Sequence, residues 1–332
     1  MAVDVGTARL GLVGCEGVTG SYLDAIARVP RLCIASVQDA DTAAAVSLAR
    51  RVHAATVADP AAILSDPAID AVIVRASLAS DAYPELIRRT LEAGKHVLCE
   101  KLFMTSSEEA CEIGRLAEKR ARTLMIASKV RSVPDVVEAR RLLRIGAIGE
   151  ALIAEVTFCG ADDRARLGNL GSVSADGVMI DSGPLAADLI RYLVGPIRSV
   201  YAQAGKRVRP MKAEDTVRLH FETDDHVVGM ADLSLSFRKP SPCYARLIGT
   251  KGAIDLGWER SSVWDAATGT SCAFGQAYDE TVAFEGMLER FAVCLLEGSE
   301  PALGIAEAIE SIRVIETARV SLRERQWLRV PA

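Results

Sequence analysis

The sequence lacks the features that mark several common classes of protein. Its formal net charge at pH 7 is −5 and no basic face is evident, which argues against a nucleic-acid partner. Residues 1–9 lack a basic segment followed by an apolar core, and no apolar run approaches the length that spans a membrane. We therefore expect a cytoplasmic protein that has neither a nucleic acid nor a membrane as its partner.

Cysteine pairs and metal-binding patterns are also missing. The eight cysteines are scattered without a C-x-x-C pair, and several lie in apolar runs, which is typical of reduced, buried thiols. There is no P-loop, no H-E-x-x-H, no G-x-S-x-G and no Cys/His spacing that suits a metal. These absences predict a protein that does not depend on a metal ion.

The most informative stretch that is present runs from Arg9 to Asp39. A short apolar run is broken by the turn Gly-Cys-Glu-Gly at residues 14–17, a helical pattern follows to Arg28, and a second apolar run precedes Asp39. This order of strand, glycine turn, helix, strand and carboxylate predicts a dinucleotide-binding βαβ unit. The predicted cofactor-binding residues here are Gly14, Cys15, Glu16, Gly17, Val18 and Asp39.

The chemistry of this unit favours NAD. Asp39 would accept hydrogen bonds from the adenosine ribose hydroxyls, and no arginine follows it directly, so NADP is disfavoured. Glu16 stands where the G-x-G-x-x-G pattern has its second glycine, and a carboxylate beside a pyrophosphate would be repulsive. Alternatively, Gly14, Gly17 and Gly20 serve as the three glycines and Glu16 bulges outward.

The rest of the chain predicts an α/β protein of two domains. Its 332 residues are half apolar, with no internal repeat, and are enough for two cores. Strands and helices alternate to residue 127, which predicts an N-terminal Rossmann domain, a doubly wound parallel sheet, over residues 1–124. Later strand-like segments, with turns at 223–225 and 249–252, predict a C-terminal α+β domain over residues 125–332, built on an open, mostly antiparallel sheet.

Four strings of sequence carry a family resemblance. Residues 92–101 read E-A-G-K-H-V-L-C-E-K, residues 66–72 D-P-A-I-D-A-V, residues 146–150 G-A-I-G-E and residues 249–252 G-T-K-G. The chain thereby resembles the Gfo/Idh/MocA oxidoreductases along essentially its whole length. The resemblance implies an NAD(P)-dependent enzyme acting on a sugar, cyclitol or related polyol. It also implies a homodimer or homotetramer formed through the C-terminal sheet.

The residues that do the chemistry in this family are only partly present. Lys101 matches the lysine of E-K-P and would orient the reacting hydroxyl, although Leu102 replaces the proline that follows it. The family's D-x-G-x-H reads Asp181-Ser182-Gly183-Pro184-Leu185, so Leu185 stands where the histidine acts as general acid and base. Leucine cannot transfer a proton. Another group must therefore do so if the fold oxidises alcohols.

Two residues are candidates to replace that histidine. Lys129 follows a strand and, if desolvated, could act as base or acid, whereas the alternative is a solvated lysine. Asp181 could act in catalysis or could cap its helix. Tyr83 and Tyr192 are weaker candidates for an acid. The predicted substrate-binding residues are Lys101, Lys129, Arg131, Asp181, Leu185 and Asp188, and further cofactor contacts are predicted at Ala76, Ser77, Glu100 and Lys101.

Three functions remain open from these residues. The leading interpretation is an NAD-dependent oxidoreductase that moves hydride at a hydroxyl or carbonyl carbon of a small sugar-like or cyclic polyol. The second is a lyase, isomerase or hydrolase with tightly held NAD, which the missing histidine favours. The third is a cofactor-sensing or binding protein without catalysis, which Glu16 and Leu185 together favour.

Overall fold

A computed structural model describes residues 6–15, 18–75, 82–100, 106–159, 177–236 and 241–331. The chain separates into two compact units, one of residues 1–129 with 280–309 and the other of residues 130–279 with 310–332. The division at residue 124 stays a prediction about domain boundaries. The structure adds that residues 280–309, close to the C-terminus in sequence, belong with the first unit.

The sheet of the first unit is parallel and doubly wound, as predicted. Its neighbouring strands follow the order β3-β2-β1-β4-β5-β6, and every pair in it is parallel. The direction of winding therefore reverses between β1 and β4, which is the point where ligands bind in such sheets. The strands are β1 (Ala8–Val13), β2 (Leu32–Gln38), β3 (Ala55–Thr56), β4 (Ala71–Val74), β5 (His96–Glu100) and β6 (Leu124–Ala127).

The second sheet is mostly antiparallel, which confirms the predicted class of the second domain. Its order is β14-β13-β12-β11-β7-β10-β9-β8-β15, and only the β7–β10 pair is parallel among the described strands. The strands are β7 (Ala151–Cys159), β8 (Ile197–Ala204), β9 (Thr216–Thr223), β10 (Val228–Ser234), β11 (Cys243–Gly249), β12 (Gly252–Gly257), β13 (Ser261–Asp265), β14 (Thr270–Phe274) and β15 (Leu328–Arg329).

Four of the described helices begin at a residue whose side chain caps the N-terminus. The D-P pair at residues 59–60 and the S-x-x-E pattern at residues 106–109 predict caps at Asp59 and Ser106. Both predictions are confirmed, since the Asp59 carboxylate accepts the Ala61 N–H at 2.7 Å and the Ser106 hydroxyl accepts the Glu109 N–H at 3.3 Å. The helices are α1 (Gly20–Arg28), α2 (Thr42–Arg51), α3 (Pro60–Ser65), α4 (Ala82–Glu92), α5 (Ser107–Arg120), α6 (Pro134–Arg144), α7 (Val178–Val194), α8 (Glu280–Glu297) and α9 (Ile305–Glu324).

Helix α8 completes the core of the first unit. Its buried face includes Phe284, Leu288 and Phe291, which join the cluster formed by β1, β2 and α1. Tyr22 of α1 meets Phe284 edge to face, with ring centroids 4.9 Å apart. The apolar face of α8 thus holds α1, and with it the glycine turn, against the sheet. Among the described residues, no helix is long and apolar enough to cross a membrane.

Two of the strings that carry the family resemblance are tied together inside this unit. The buried Lys95 ammonium donates to the carbonyls of Asp66 at 2.6 Å and Ile69 at 2.7 Å. His96 Nδ1 accepts the Thr123 N–H at 3.0 Å, and burial, with the charge of Arg122, lowers the pKa of this imidazole. Through these contacts, Lys95 and His96 join the start of β5 to the segments that precede β4 and β6.

Candidate functional site

Gly14, the first residue of the glycine turn after β1, has the backbone that the sequence predicts for it. Gly14 has a φ of +91°, a region that glycine enters at little cost, and its N–H donates to the Gln38 carbonyl at 2.9 Å. The Cys15 N–H donates to Asp39 Oδ2, and the Asp41 N–H donates to Asp39 Oδ1 at 2.7 Å. Asp39 therefore secures the turn to the end of β2. Its carboxylate keeps lone pairs that a ribose hydroxyl could use.

Cys15 is a neutral thiol in this arrangement. Burial, followed by the charge of Asp39 and a hydrogen bond to it, raises the pKa of the Cys15 thiol to about 11. The thiolate is therefore almost absent at neutral pH. Cys15 contributes its backbone to the turn rather than a nucleophile.

Helix α1 starts directly after the turn. The Thr19 hydroxyl caps it by accepting the Tyr22 N–H at 3.2 Å, and Val18 donates to the Cys15 carbonyl at 3.2 Å. A side chain at Gly20 would meet nothing closer than 3.9 Å, so packing does not require glycine there. Glu16 and Gly17 lie outside the described residues, and both registers of the glycine pattern therefore stay predictions.

Several other predicted contacts also fall outside the described part of the chain. Ala76, Ser77 and Lys101 are not among the described residues, and for Glu100 the structure describes only the backbone at the end of β5. Their proposed roles rest on the sequence alone. Tyr83 is described and is buried, with its hydroxyl 2.9 Å from Cys99 Sγ and 3.3 Å from the Val74 carbonyl, which it donates to. This environment is that of a core tyrosine.

Lys129 lies where β6 ends, as the sequence predicts, but its environment is not the solvated one. It begins a single 3₁₀ turn, Lys129–Ser132, and is buried. Its Nζ is 2.6 Å from Glu280 Oε1 and 4.6 Å from the centroid of the Phe284 ring. The carboxylate and the ring face together offset the cost of burying the ammonium. The expectation of a desolvated lysine is met, and the solvated alternative is wrong.

Glu280 is the functional candidate that the sequence did not reveal. It is the first residue of α8, whereas the apolar pattern predicts a helix that starts only at residue 285. An acidic residue in the first turn of a helix is a common start signal, since it interacts favourably with the helix dipole. That signal could have extended the helix to Glu280. It could not have identified Lys129 as its partner.

In the second unit, two predicted substrate-binding residues bind each other. Arg131 Nε lies 2.9 Å and 3.1 Å from the two carboxylate oxygens of Asp188, and Arg131 Nη2 also pairs with Asp188 Oδ1. The guanidinium carbon is 4.9 Å from the centroid of the Tyr192 ring. This two-pronged geometry is the strongest form of an arginine–carboxylate pair. A substrate role for either residue stays a prediction.

Helix α7 begins earlier than the sequence predicts. Gly177 is its N-cap, and Asp181 is the fourth helical residue, whose N–H donates to the Gly177 carbonyl at 3.1 Å. The alternative that Asp181 caps the helix is therefore wrong. Pro184 suggests a helix start because proline favours the first turn, yet here it lies inside the helix, preceded by a buried apolar turn at 178–180.

The face of α7 that carries the altered motif is mostly buried. Asp181 and Asp188 are both buried, and Leu185 is half-buried between them along the helix. The Ser182 hydroxyl donates weakly to Asp181 Oδ2 at 3.5 Å. A buried carboxylate with a neighbouring hydroxyl can accept or hold a proton. Within the described ranges, no group of three or more potential metal-binding side chains is found.

Comparison with known proteins identifies the family. Residues 8–128 match the profile of the oxidoreductase family's NAD-binding Rossmann fold, and residues 136–255 match that of the GFO/IDH/MocA C-terminal domain. An uncharacterized oxidoreductase of Schizosaccharomyces pombe is 30% identical over 204 residues, an alignment that spans 58% of this chain and about half (54%) of that one. Inositol 2-dehydrogenase 2 of Saccharopolyspora erythraea is 27% identical over 257 residues, or 75% of this chain and 73% of that one.

The fold comparison agrees with the sequence profiles. The structure of a levoglucosan dehydrogenase in complex with NADH and levoglucosan matches with a TM-score of 0.87 and 20% identity, covering 98% of this chain and 100% of that chain. At that identity the likeness shows a shared fold. Together with the two profiles it confirms the NAD-binding Rossmann domain, and the chain belongs to the Gfo/Idh/MocA family of oxidoreductases.

Proposed function

We propose that this protein is an NAD-dependent dehydrogenase that moves hydride to or from a hydroxyl- or carbonyl-bearing carbon of a small sugar-like or cyclic polyol. The observation that carries the proposal is the Gly14 turn, which Asp39 secures at the point where the strand order reverses. The substrate class is proposed from two relatives, an inositol 2-dehydrogenase and a levoglucosan dehydrogenase.

The described residues of the first unit suit a dinucleotide. Gly14 allows the backbone to turn tightly where β1 ends, and the Asp39 carboxylate has acceptors left for ribose hydroxyls. Asp39 is followed by Ala40 and Asp41, neither of which is a cation that could bind the 2′-phosphate of NADP. When bound, the nicotinamide ring supplies the hydride acceptor or donor.

Proton transfer needs a group other than the missing histidine, and we propose Lys129 or Asp181. The Lys129 ammonium, with Glu280 at 2.6 Å, could give a proton or a hydrogen bond to the reacting oxygen while the carboxylate balances the charge. Asp181 could instead accept the proton, with the Ser182 hydroxyl as its neighbour. Lys101 would orient the reacting oxygen, and Leu185 would give the substrate an apolar contact.

The first experiment measures NADH binding by calorimetry, on the natural chain and on Glu16→Gly. Micromolar binding by the natural chain is expected if Glu16 turns away from the pyrophosphate. If only Glu16→Gly binds, the dinucleotide site has been given up, and the non-catalytic alternative replaces this proposal. Cofactor that copurifies with the protein, while turnover needs none added, would favour the non-redox alternative.

The second experiment identifies the substrate and the residue that transfers the proton. Inositols and anhydrosugars are mixed with NAD, and the absorbance of reduced nicotinamide is followed for the natural chain, Lys129→Met and Asp181→Asn. The variant that removes the acid or base should lower kcat about 10²- to 10⁴-fold. Lys119→Met, an exposed lysine at the end of α5, is the matched control. No absorbance change with any candidate would contradict a dehydrogenase of polyols.

We also propose that the open face of the second sheet joins two copies of this chain. Val228 and Ile153 are register partners on that face and are 50% and 37% exposed. Trp264, in the same cross-strand row on β13, is 43% exposed. Val228→Lys should then yield monomers in light scattering after size-exclusion chromatography. Val208→Lys, at an exposed loop position, is the control and should not change the mass. An unchanged mass for both variants would exclude this face.

A further inference from the structure

Arg75 stands beside the glycine turn at the point where the strand order reverses. It directly follows β4, and the last residue of β4, Val74, is the register partner of Val13 at the end of β1. The Arg75 N–H donates to the Val13 carbonyl at 2.8 Å. Arg75 and Gly14 therefore leave the sheet side by side, at the edge where a dinucleotide lies in folds of this kind.

The side chain of Arg75 packs against the start of α1. Its guanidinium carbon is 4.9 Å from the centroid of the Tyr22 ring, and Tyr22 is in the first turn of α1. Arg75 is 9% exposed. A planar guanidinium on an aromatic face is held in a fixed orientation, and its charge is thereby kept near the helix N-terminus.

The charge of Arg75 is felt within the glycine turn itself. Burial and the nearby carboxylates of Asp39 and Asp41 raise the pKa of the Cys15 thiol, and the Arg75 cation acts in the opposite direction. Arg75 therefore places a positive charge close to the turn, and the N-terminus of α1, which begins at Gly20, lies beside that charge. A phosphate group at this place would meet both.

The apolar pattern of β4 does not predict an arginine at its end. The four residues of β4 that precede it are apolar and buried, as expected in a parallel strand covered on both faces. An arginine can be accommodated at such an edge, but only its fork of five N–H donors suits a two-pronged contact with phosphate oxygens. The geometry thus combines a held cation, a glycine turn and a helix N-terminus at one edge.

We propose that Arg75 binds the pyrophosphate of the dinucleotide. The inference rests on the proposed NAD-dependent function and adds to it a residue of this chain that recognises the diphosphate. Arg75 supplies fixed positive charge, so that the affinity depends on the two phosphates rather than on the adenosine alone. Two N–H donors of its guanidinium would contact phosphate oxygens.

The test is calorimetry with NADH, ADP-ribose and adenosine on the natural chain, Arg75→Gln and Arg75→Lys. Arg75→Gln should weaken NADH and ADP-ribose about 10- to 100-fold, because a charge-assisted contact is lost, and should leave adenosine unchanged. Arg75→Lys keeps the charge and loses the fork, so its loss should be smaller. The matched control is Arg9→Gln. Arg9 is exposed and lies near the start of β1, at the other end of the strand from the glycine turn, so this variant should bind all three ligands as the natural chain does.

The outcomes separate this inference from the function on which it rests. If the natural chain binds NADH and Arg75→Gln binds it equally well, Arg75 does not bind the pyrophosphate. If adenosine weakens as much as ADP-ribose, Arg75 only positions α1, and the inference is likewise overturned. If the natural chain binds no NADH, the proposed function fails and this inference fails with it. If the melting temperature shows that Arg75→Gln does not fold, Arg75→Lys becomes the deciding variant. Binding of ADP-ribose by Arg75→Lys as tightly as by the natural chain then contradicts the proposal.

Discussion

Lys129 and Arg131 are two residues apart in the chain, and each forms a buried ion pair, but the two pairs differ in geometry. In the second unit, Arg131 forms a bidentate ion pair with Asp188, and the two side chains are 4% and 5% exposed. In the first unit, the Lys129 ammonium lies 2.6 Å from a single carboxylate oxygen of Glu280, and the two side chains are 7% and 18% exposed. Each cation also lies over a ring, Tyr192 or Phe284.

The difference separates a pair that holds the fold from one that a ligand could reach. A closed, two-pronged pair has little capacity to exchange contacts, and it joins the 3₁₀ turn to α7 within the second unit. Glu280 is the most exposed of the four side chains, so the Lys129 pair is the more open of the two. The sequence predicts both cations as substrate-binding residues, and Lys129 also as a catalytic one. Their surroundings favour Lys129 for proton transfer and Arg131 for structure.

The largest effect is expected when the closed pair is broken. Arg131→Met leaves the Asp188 carboxylate buried without the Arg131 guanidinium, which should lower the free energy of unfolding by about 3–5 kcal/mol. Urea denaturation of the natural chain and the variant measures this loss. Arg140→Met is the matched control, since Arg140 lies over the same Tyr192 ring, 4.0 Å from its centroid, and is only half-buried.

A double variant tests whether charge is the cause. In Arg131→Met with Asp188→Leu, both charges are replaced by apolar groups, so most of the lost stability should return. Equal destabilisation of the single and the double variant would show that shape, not unpaired charge, dominates. A loss below about 1 kcal/mol for Arg131→Met would mean that the pair is solvated, as surface pairs are, and the contrast with Lys129 would disappear.

Breaking the more open pair should cost less stability and more activity. Lys129→Met leaves Glu280 partly exposed to water, and the free energy of unfolding should fall by about 1–3 kcal/mol in urea denaturation. Glu280→Gln, which keeps the length of the side chain and removes its charge, should also lower kcat if the pair moves a proton. If Lys129→Met destabilises the fold as much as Arg131→Met does, the two pairs are equivalent and the assignment of roles is wrong.

The sequence predicts local features of the fold well, but it does not predict which residues pair with Lys129 and Arg131. The glycine turn, Asp39 and the caps at Asp59 and Ser106 follow from local patterns, because each depends on neighbours a few residues away. The partners of the two cations lie 151 and 57 residues away in the chain, and no local pattern encodes such a pairing. The start of α7 is also not predicted by the local pattern, because Pro184 favours a later start although the buried residues 178–180 are already helical.

Asp215 shows that hydrogen bonds from backbone N–H groups and a hydroxyl can stabilise a buried carboxylate. Asp215 is buried, and its Oδ2 accepts the N–H groups of Val208 and Arg209 and the Ser236 hydroxyl, each at 2.7 Å. Burial alone would raise the pKa of this carboxyl, but these hydrogen bonds outweigh burial and lower it. The folded state therefore favours the carboxylate more than the unfolded state does.

This lowered pKa predicts a pH-dependent contribution to stability. The contribution is fully present above the pKa of an unfolded aspartate, near pH 4, and is lost as the pH falls through the lower folded value. Asp215→Asn should lower the free energy of unfolding by about 1–3 kcal/mol at pH 7. The difference from the natural chain should shrink below pH 4 in urea denaturation. A difference that is constant from pH 7 to pH 3 would show that the carboxylate charge contributes nothing.

The smallest effect is expected for an ion pair on the open face of the second sheet. Arg218 contacts Asp232 at 2.6 Å and 2.8 Å, with the same two-pronged form as Arg131 and Asp188, but its side chain is 48% exposed. Water and salt screen such a pair. Arg218→Met should therefore lower the free energy of unfolding by less than about 1 kcal/mol, and less still at high salt. Urea denaturation at two salt concentrations measures both effects.

The Arg246–Asp255 pair provides the matched control for Arg218. It has the same geometry, at 2.6 Å and 3.0 Å, and similar exposure on the same sheet, so Arg246→Met should behave alike. A loss above about 2 kcal/mol for either variant would contradict a solvated pair. If that loss also grows with protein concentration, a second copy of the chain covers the open face, because only association makes stability depend on concentration. A loss independent of concentration would instead mean that two-pronged geometry, rather than burial, gives the Arg131 pair its strength.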